Sequence, residues 1–191
     1  MNIAGVLLAG GQSSRYGRPK MFEPFEGIPL YQHSLNALKQ NNLSTIIVAT
    51  NDELRPFFQE DSEITWALES TKHQGPLFVL HQLLVENPSV DWFFLVAADM
   101  PYMNAAFIEN LLAQIEPHLD AIIPIQNERM QPLAGLYNRS TLEKTAELVA
   151  NNRRSMKALL DSVCVHYSSF SNEDPTFTNI NYQTDWPKGD S

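Results

Sequence analysis

Apolar residues along this chain follow two rhythms. Unbroken apolar or β-branched runs occur at Ile3–Leu8, Thr45–Thr50, Ile64–Leu68 and Trp92–Ala97, as in strands covered on both faces of a sheet. Elsewhere the spacing lengthens to a helical period. Leu30, Leu35, Ala37 and Leu38 share one face of a helix predicted over residues 28–40, with Pro29 suited to its first turn. Further helices are predicted over 76–85, opening after Gly75, and over 105–115, 141–150 and 155–160, with a short helical piece over 52–59 around Pro56. Strands at 121–125 and 163–167 complete the alternation, and Asn127-Glu128-Arg129 reads as a hairpin connection into a strand over 130–137. The aromatic runs Trp92-Phe93-Phe94 and Phe57-Phe58 are assigned to the core.

Strands alternating with helices predict an α/β fold: one Rossmann-like, three-layer domain over residues 1–191, with a loose tail after about residue 186. Its sheet is expected to be mostly parallel, with helices on both faces and some antiparallel strands in the C-terminal half. Ligands bind such sheets outside the carboxyl ends of the strands, near the point where strand order reverses. The loop after the first strand and the loop that begins at Asp99 are therefore expected to face one another across one crevice.

Composition narrows the class. A chain of 191 residues with 43% apolar content can bury a sizeable core and does not resemble a disordered or fibrous sequence. No apolar run approaches the ~20 residues of a membrane span, and only Met1-Asn2 precedes the first apolar run, so no secretory signal is expected. One cysteine, Cys164, excludes an internal disulfide and fits a cytoplasmic setting. A net charge of -9 argues against nucleic-acid binding, which needs a basic face. The five histidines, His73 and His81 among them, show no metal-ligand spacing and read as surface or packing residues.

Against that acidic background, IAGVLLAGGQSSRYGRPK (residues 3–20) contains no acid, and the first carboxylate of the chain is Glu23. Gly10 and Gly11 would let backbone N–H groups approach a ligand, Ser13 and Ser14 add hydroxyls, and Arg15, Arg18 and Lys20 add charge. The combination reads as a phosphate cradle, although neither G-x-x-x-x-G-K-[ST] nor G-x-G-x-x-G is present. Screening limits the distant acids to a Debye length of ~8 Å at physiological salt, so the local cations govern the loop. Asp99 follows the strongest strand, and from spacing alone it either caps the next helix or holds a Mg²⁺ together with substrate phosphates. Lys20 is either a solvated lysine or a phosphate ligand.

LAGGQSSRYGRPK resembles the signature loop of nucleotidyltransferases, most closely the LAGGxSxRMGxxK form of molybdenum cofactor guanylyltransferases. Gly75-Pro76-Leu77 is similar to that family's GPL helix start, and Ala98-Asp99-Met100-Pro101 to its CDMP segment. The stretch QPLAGLY, residues 131–137, is similar to HPL-x-x-LY, and Phe177-Thr178-Asn179-Ile180-Asn181 with Asp185 to FxNINTPxD. Tyr16 stands where the family has Met, and Ala98 where it has Cys.

The resemblance implies a Mg²⁺-dependent enzyme that transfers GMP from GTP to molybdopterin or the molybdenum cofactor and releases pyrophosphate. It implies catalytic roles for Lys20, Arg15 and Asp99, with Asp99 the metal ligand. Leu8, Ala9, Gly10, Gly11, Ser13, Asn51, Glu69 and Gly75 would join Lys20 and Asp99 in nucleotide binding. Glu69 stands for a family Asp with its spacing shifted by one, Ser70 is its alternative, and Asn51 has a turn role as an equal reading. Arg154, in the basic turn Asn152-Arg153-Arg154-Ser155, and Asn179 and Asn181 would contact the acceptor. No membrane or nucleic-acid partner is implied, whereas transient contact with cofactor-biosynthesis or molybdoenzyme partners is. Three alternatives stay open: a related CTP-dependent enzyme, a sugar-phosphate nucleotidyltransferase, and a nucleotide-binding protein without turnover.

Overall fold

The computed structural model describes residues 1–10, 19–69 and 75–180. The first strand, β1 (Ile3–Leu8), leads after Lys20 into a two-stranded ribbon of β2 (Pro24–Phe25) and β3 (Ile28–Pro29) and then into helix α1 (Leu30–Lys39). Strands β4 (Thr45–Thr50) and β5 (Ile64–Leu68), helix α2 (Pro76–Glu86), strand β6 (Trp92–Ala97) and helix α3 (Ala105–Leu112) follow. The last part contains β7 (Ala121–Gln126), β8 (Arg129–Met130), β9 (Ala134–Asn138), α4 (Leu142–Ala150), α5 (Met156–Leu160) and β10 (Val165–Ser169).

The main sheet runs β10-β7-β9-β6-β1-β4-β5, with β8 paired to β7. β1 pairs in parallel with β4 and β6, β4 with β5, and β7 with β10. β9 is inverted, antiparallel to both β6 and β7, so the expected antiparallel component in the C-terminal half is present. The domain is therefore three-layered. Alternating side chains of β6 make the layers explicit: Phe94 and Val96 pack with Leu35 and Leu38 of α1 and Ile108 and Leu111 of α3, whereas Phe93 and Leu95 pack with Leu80 and Leu83 of α2 and Leu159 of α5. Both faces are covered, which is why these strands read as continuous apolar runs. Gly5 lets α1 lie close, since a Cβ there would meet Leu43 Cδ1 at 2.6 Å and Leu38 Cδ2 at 2.9 Å. No helix among the described residues is long and apolar enough to cross a membrane.

Several expected boundaries move. α1 starts at Leu30, because Ile28 and Pro29 belong to the ribbon, and Pro29 precedes the helix instead of lying in its first turn. Glu26 and Gly27, at φ 48° and 84°, form the tight turn of that ribbon. Only Arg55–Phe57 of the 52–59 piece is helical, and it is 3₁₀. α3 stops at Leu112, and the last strand is Val165–Ser169 instead of 163–167, its start set by parallel pairing of Val165 with Ala121. The Asn127-Glu128 turn is present, both residues having positive φ (51° and 60°), but the strand expected over 130–137 is broken at residues 131–133. Phe57 is 66% exposed, contrary to its core assignment, while Phe58 lies buried against Phe22, Tyr31 and Trp66.

Candidate active site

The chain runs from β1 to β4 and β5 on one side, then crosses to β6 on the other side of β1. Strand order therefore reverses between β1 and β6, the position at which open α/β sheets bind ligands. Lys20 and Asp99 meet there. Lys20 Nζ donates to Asp99 Oδ2 at 2.8 Å and to the Ile180 carbonyl at 2.5 Å, and the two charged side chains are 15% and 26% exposed.

Each partner is held by packing around it. Lys20 opens the 3₁₀ turn Lys20–Phe22, in which Met21 is buried and the Phe22 ring packs edge-on against Tyr31 and Phe58, at 5.7 and 4.8 Å between centroids. Asp99 lies just past β6, where Ala98 N–H donates to the Leu8 carbonyl (3.1 Å) and carries the β1–β6 ladder one step further. Below it, the fully buried Ser34 of α1 donates to the carbonyls of Ala97 (3.1 Å) and Met100 (3.2 Å), one on each side of Asp99. The helix-capping alternative for Asp99 is excluded, because α3 is capped by Asn104, whose side chain accepts from Phe107 N–H at 3.0 Å.

On the other side of β1, Ala9 N–H donates to the Ala49 carbonyl (2.8 Å), and Thr50 Oγ1 donates to the Ala9 carbonyl (3.0 Å). Glu69 N–H donates to the Thr50 carbonyl (2.8 Å), which brings the Glu69 carboxylate over Gly10: a Cβ on Gly10 would lie 1.9 Å from Oε1. Asn51 is largely occupied by structure. Its Oδ1 accepts from the N–H groups of Glu53 and Leu54, both at 3.1 Å, which is the turn role.

Gly75, at φ 87°, precedes α2 and lies against Arg154, with its hypothetical Cβ 3.6 Å from the Arg154 carbonyl oxygen. Asn179 lies elsewhere. It lines an open groove of about 630 Å³ together with Gln126, Asn127, Arg129, Met130, Gln131 and Phe177. The two acceptor assignments are thus separated, Arg154 beside the glycine that opens α2 and Asn179 at the β7–β8 hairpin. Tyr137 braces the loop that borders the groove by donating its hydroxyl to the Pro132 carbonyl at 2.7 Å, and burial pushes its phenol well above the usual range. Gly11, Ser13, Ser14, Arg15, Arg18, Ser70 and Asn181 lie outside the described residues.

Sequence reasoning missed Ser34, Ile180 and the polar residues of the groove as parts of this site. Ile180 was present inside the quoted 177–181 stretch, whereas nothing local marks Ser34, which acts through a contact 66 residues away. No group of three or more His, Cys, Asp or Glu side chains able to hold a metal occurs among the described residues. A single carboxylate in a crevice still suits a Mg²⁺ ion that keeps waters and binds substrate phosphates, since Mg²⁺ typically takes one or two protein carboxylates.

Comparison with known proteins agrees with this architecture. The family described as the MobA-like NTP transferase domain matches residues 5–167. Two similar proteins, from Geobacillus sp. and Halalkalibacterium halodurans, are each named probable molybdenum cofactor guanylyltransferase. The first is 32% identical, covering 94% of this chain and 93% of its own, and the second is 31% identical, covering 95% and 94%. Among solved structures, molybdopterin-guanine dinucleotide biosynthesis protein A from Archaeoglobus fulgidus superposes with a TM-score of 0.71 at 21% identity, covering 95% of this chain and 94% of that one. With Gly10 just past the first strand, a lysine and an aspartate joined across the strand-order reversal, and relatives matched over more than nine-tenths of both chains, this chain belongs to the family of MobA-like NTP transferases.

Proposed function

We propose that this protein transfers GMP from GTP to the phosphate of molybdopterin or of the molybdenum cofactor, forming the guanine dinucleotide and releasing pyrophosphate. The observation that carries this reading is the order of chemistry along the sheet edge. Passing from β5 to β7, the crevice presents the Glu69 carboxylate, the Gly10 backbone, the Lys20–Asp99 pair and then the groove at Asn179. A base, a run of phosphates and a second ring system joined in line would meet acceptor, neutral backbone, paired charges and amide groups in that order.

Within this reading the acceptor phosphate oxygen attacks the α-phosphorus of GTP in line, and no protein nucleophile is needed. Lys20, freed from Asp99 by turning toward the nucleotide, neutralises charge that grows on the leaving pyrophosphate. Arg15, with its planar fork, shares the phosphates. Asp99 would hold the Mg²⁺, which supplies Lewis-acid neutralisation of the phosphates when bound. Glu69 accepts from the N1–H and N2–H₂ donors of guanine, an arrangement cytosine cannot reproduce with the same two donors. Arg154 and Asn179 would approach the acceptor from two sides, and Asn181 is assigned with them.

The test is a pyrophosphate-release assay with molybdopterin, Mg²⁺ and either GTP or CTP. Release with GTP and little with CTP is expected. Preference for CTP would transfer the protein to the cytidylyl class, and tight GTP binding without release with any acceptor would make it a binding protein.

A further inference from the structure

Ile180 is a single apolar residue that touches three separate parts of the crevice. Its side chain is 1% exposed and packs with Phe25, Leu30 and Tyr102, in a small cluster distinct from the two main cores. Its N–H donates to the Asp99 main-chain carbonyl at 3.2 Å, and its own carbonyl accepts from Lys20 Nζ at 2.5 Å. Lys20 in turn donates to the Asp99 carboxylate. The peptide groups on either side of one α-carbon thus engage both partners of the ion pair, and the side chain between them is plugged into the ribbon that follows Lys20.

The approach to this residue is fixed as well. Phe177 is buried and its ring meets Phe107 and Phe170 at 5.3 and 5.5 Å, so the segment enters the crevice from an anchored point. Asp174 caps the 3₁₀ turn Pro175–Phe177 by accepting from Thr176 N–H at 2.9 Å. Between Phe177 and Ile180 only Thr178 and Asn179 remain, and both flanking residues are buried. A backbone clamped at both ends over so short a distance has few conformations left, which holds the Ile180 α-carbon, and with it the peptide that accepts from Lys20, close to the ion pair.

We infer that Ile180 is a positioning residue, which registers Lys20 against Asp99 through its backbone while its buried side chain supplies the anchorage. Lysine carries a long, flexible stem, and each acceptor fixed to the protein narrows the range over which its ammonium can swing. A second acceptor on a rigid segment restricts that swing and sets where the ammonium starts when a phosphate arrives. Because Ile180 also holds the Asp99 main chain, any displacement of the segment moves both groups together. This role rests on the reading of Lys20 and Asp99 given above, so its test includes a measurement that needs no turnover.

Lysine modification by a water-soluble acylating reagent, followed residue by residue with peptide mass spectrometry, reads the tether directly. In Ile180→Ala the Lys20 rate is expected to rise several-fold relative to Lys144 and Lys157 in the same sample, with Ile180→Leu close to the parent. Turnover of Ile180→Ala at saturating GTP and acceptor is expected to fall about 10- to 100-fold, the penalty that a misplaced catalytic group incurs. Should Ile180→Ala not fold, as judged by its melting curve, Ile180→Val carries the same comparison with a smaller change of the same sign. An unchanged Lys20 labelling rate, or faster labelling with unchanged turnover, would reduce Ile180 to a structural plug and overturn the inference. A parent protein that fails to transfer any nucleotide would instead refute the functional reading, leaving the labelling result to judge the tether alone.

Discussion

Gly10 and Glu69 compete for one volume: the carboxylate of Glu69 stands where a side chain at residue 10 would have to go, 1.9 Å from a hypothetical Cβ. The obstructing atom is the far end of a flexible side chain, so Gly10→Ala should displace the carboxylate without unfolding the loop. The expected outcome is a near-parent melting temperature with at least a tenfold loss of apparent GTP affinity. A double-mutant cycle with Glu69→Ala checks it, since the two losses should be markedly non-additive if both act through the same carboxylate.

Lys20 and Asp99 should be indispensable in different ways. By comparison with removal of one preorganised charge-stabilising donor, Lys20→Ala is expected to cost about 2.7–4 kcal/mol of transition-state stabilisation, or about 10²–10³ in turnover. Asp99→Asn should lose comparable turnover, and part of that loss should be recovered by raising Mg²⁺, whereas none of the Lys20→Ala loss should be. Initial rates across a metal titration separate the two patterns. Full activity in either variant would remove that residue from the chemistry.

The buried hydroxyl of Ser34 serves two carbonyls that flank Asp99. Ser34→Ala is expected to destabilise the fold by about 0.5–1.5 kcal/mol, the net worth of a typical internal hydrogen bond. For a chain of this size that corresponds to a melting shift of about 2–4 °C per kcal/mol. Turnover should drop more than stability does, because the loosened turn carries Asp99. Calorimetry alongside rate measurements provides the check.

Gly75 has φ 87° and ψ 168°, a conformation that essentially only glycine adopts comfortably. A methyl group there would find ordinary contact distances, 3.6 Å to the Arg154 carbonyl oxygen, so the cost of Gly75→Ala is backbone strain and not collision. A loss of about 1–3 kcal/mol is expected. Chemical denaturation gives the value, and the variant should also bind nucleotide less well, since relief of strain would tilt the start of α2.

His81 supplies a pH dependence of stability. It lies between α2 and α4, where its Nδ1 contacts Thr145 Oγ1 at 3.1 Å, and that hydroxyl already donates to the Leu142 carbonyl. The imidazole therefore donates from Nδ1. Burial holds its pKa below the ordinary 6.5. The unfolded chain then binds more protons than the folded one below pH 6.5, so stability is full above that value and falls as pH drops toward the lower folded-state pKa. Melting curves at pH 7.5 and 5.5 should show a decline in the parent that is smaller in His81→Gln.

How much of this was legible beforehand depended on where the signal resided. β1, β4 and β6 have the boundaries that their apolar runs imply, because strands buried on both faces leave no ambiguity about which residues belong, and the half-exposed edge strand β5 also keeps its expected bounds, set by parallel pairing with β4. The β2–β3 ribbon was not foreseen, although Glu26-Gly27 between Phe25 and Ile28 carried a turn signal. Two residues per strand show no alternation to read. Phe57 was misplaced because adjacent residues of a short turn point in different directions: Phe58 is buried inside the aromatic cluster, whereas Phe57 touches only its Phe22 edge, at 5.7 Å between centroids, and stays largely exposed. In the crevice, Lys20 and Asp99 were nameable from charge context and motif, 79 residues apart. Ser34 and Ile180 were not, since one contributes a helix serine hydroxyl whose backbone partners lie more than sixty residues away and the other two peptide groups, which any residue carries.

Pro124 lies inside β7 and, having no N–H, cannot donate along the strand. β7 pairs with β9 only at Ala121↔Tyr137 and Ile122↔Leu136, then changes partner to β8 at Ile125↔Met130 and Gln126↔Arg129. Its carbonyl accepts from Gln131 N–H at 2.9 Å, at the start of the three residues that absorb the change. A missing proton in mid-sheet thus frays the lattice where the groove begins: one imino acid converts what would be flat β-structure into a hollow wide enough for a guest. A chain able to zip that ladder to its end would gain hydrogen bonds and lose the concavity.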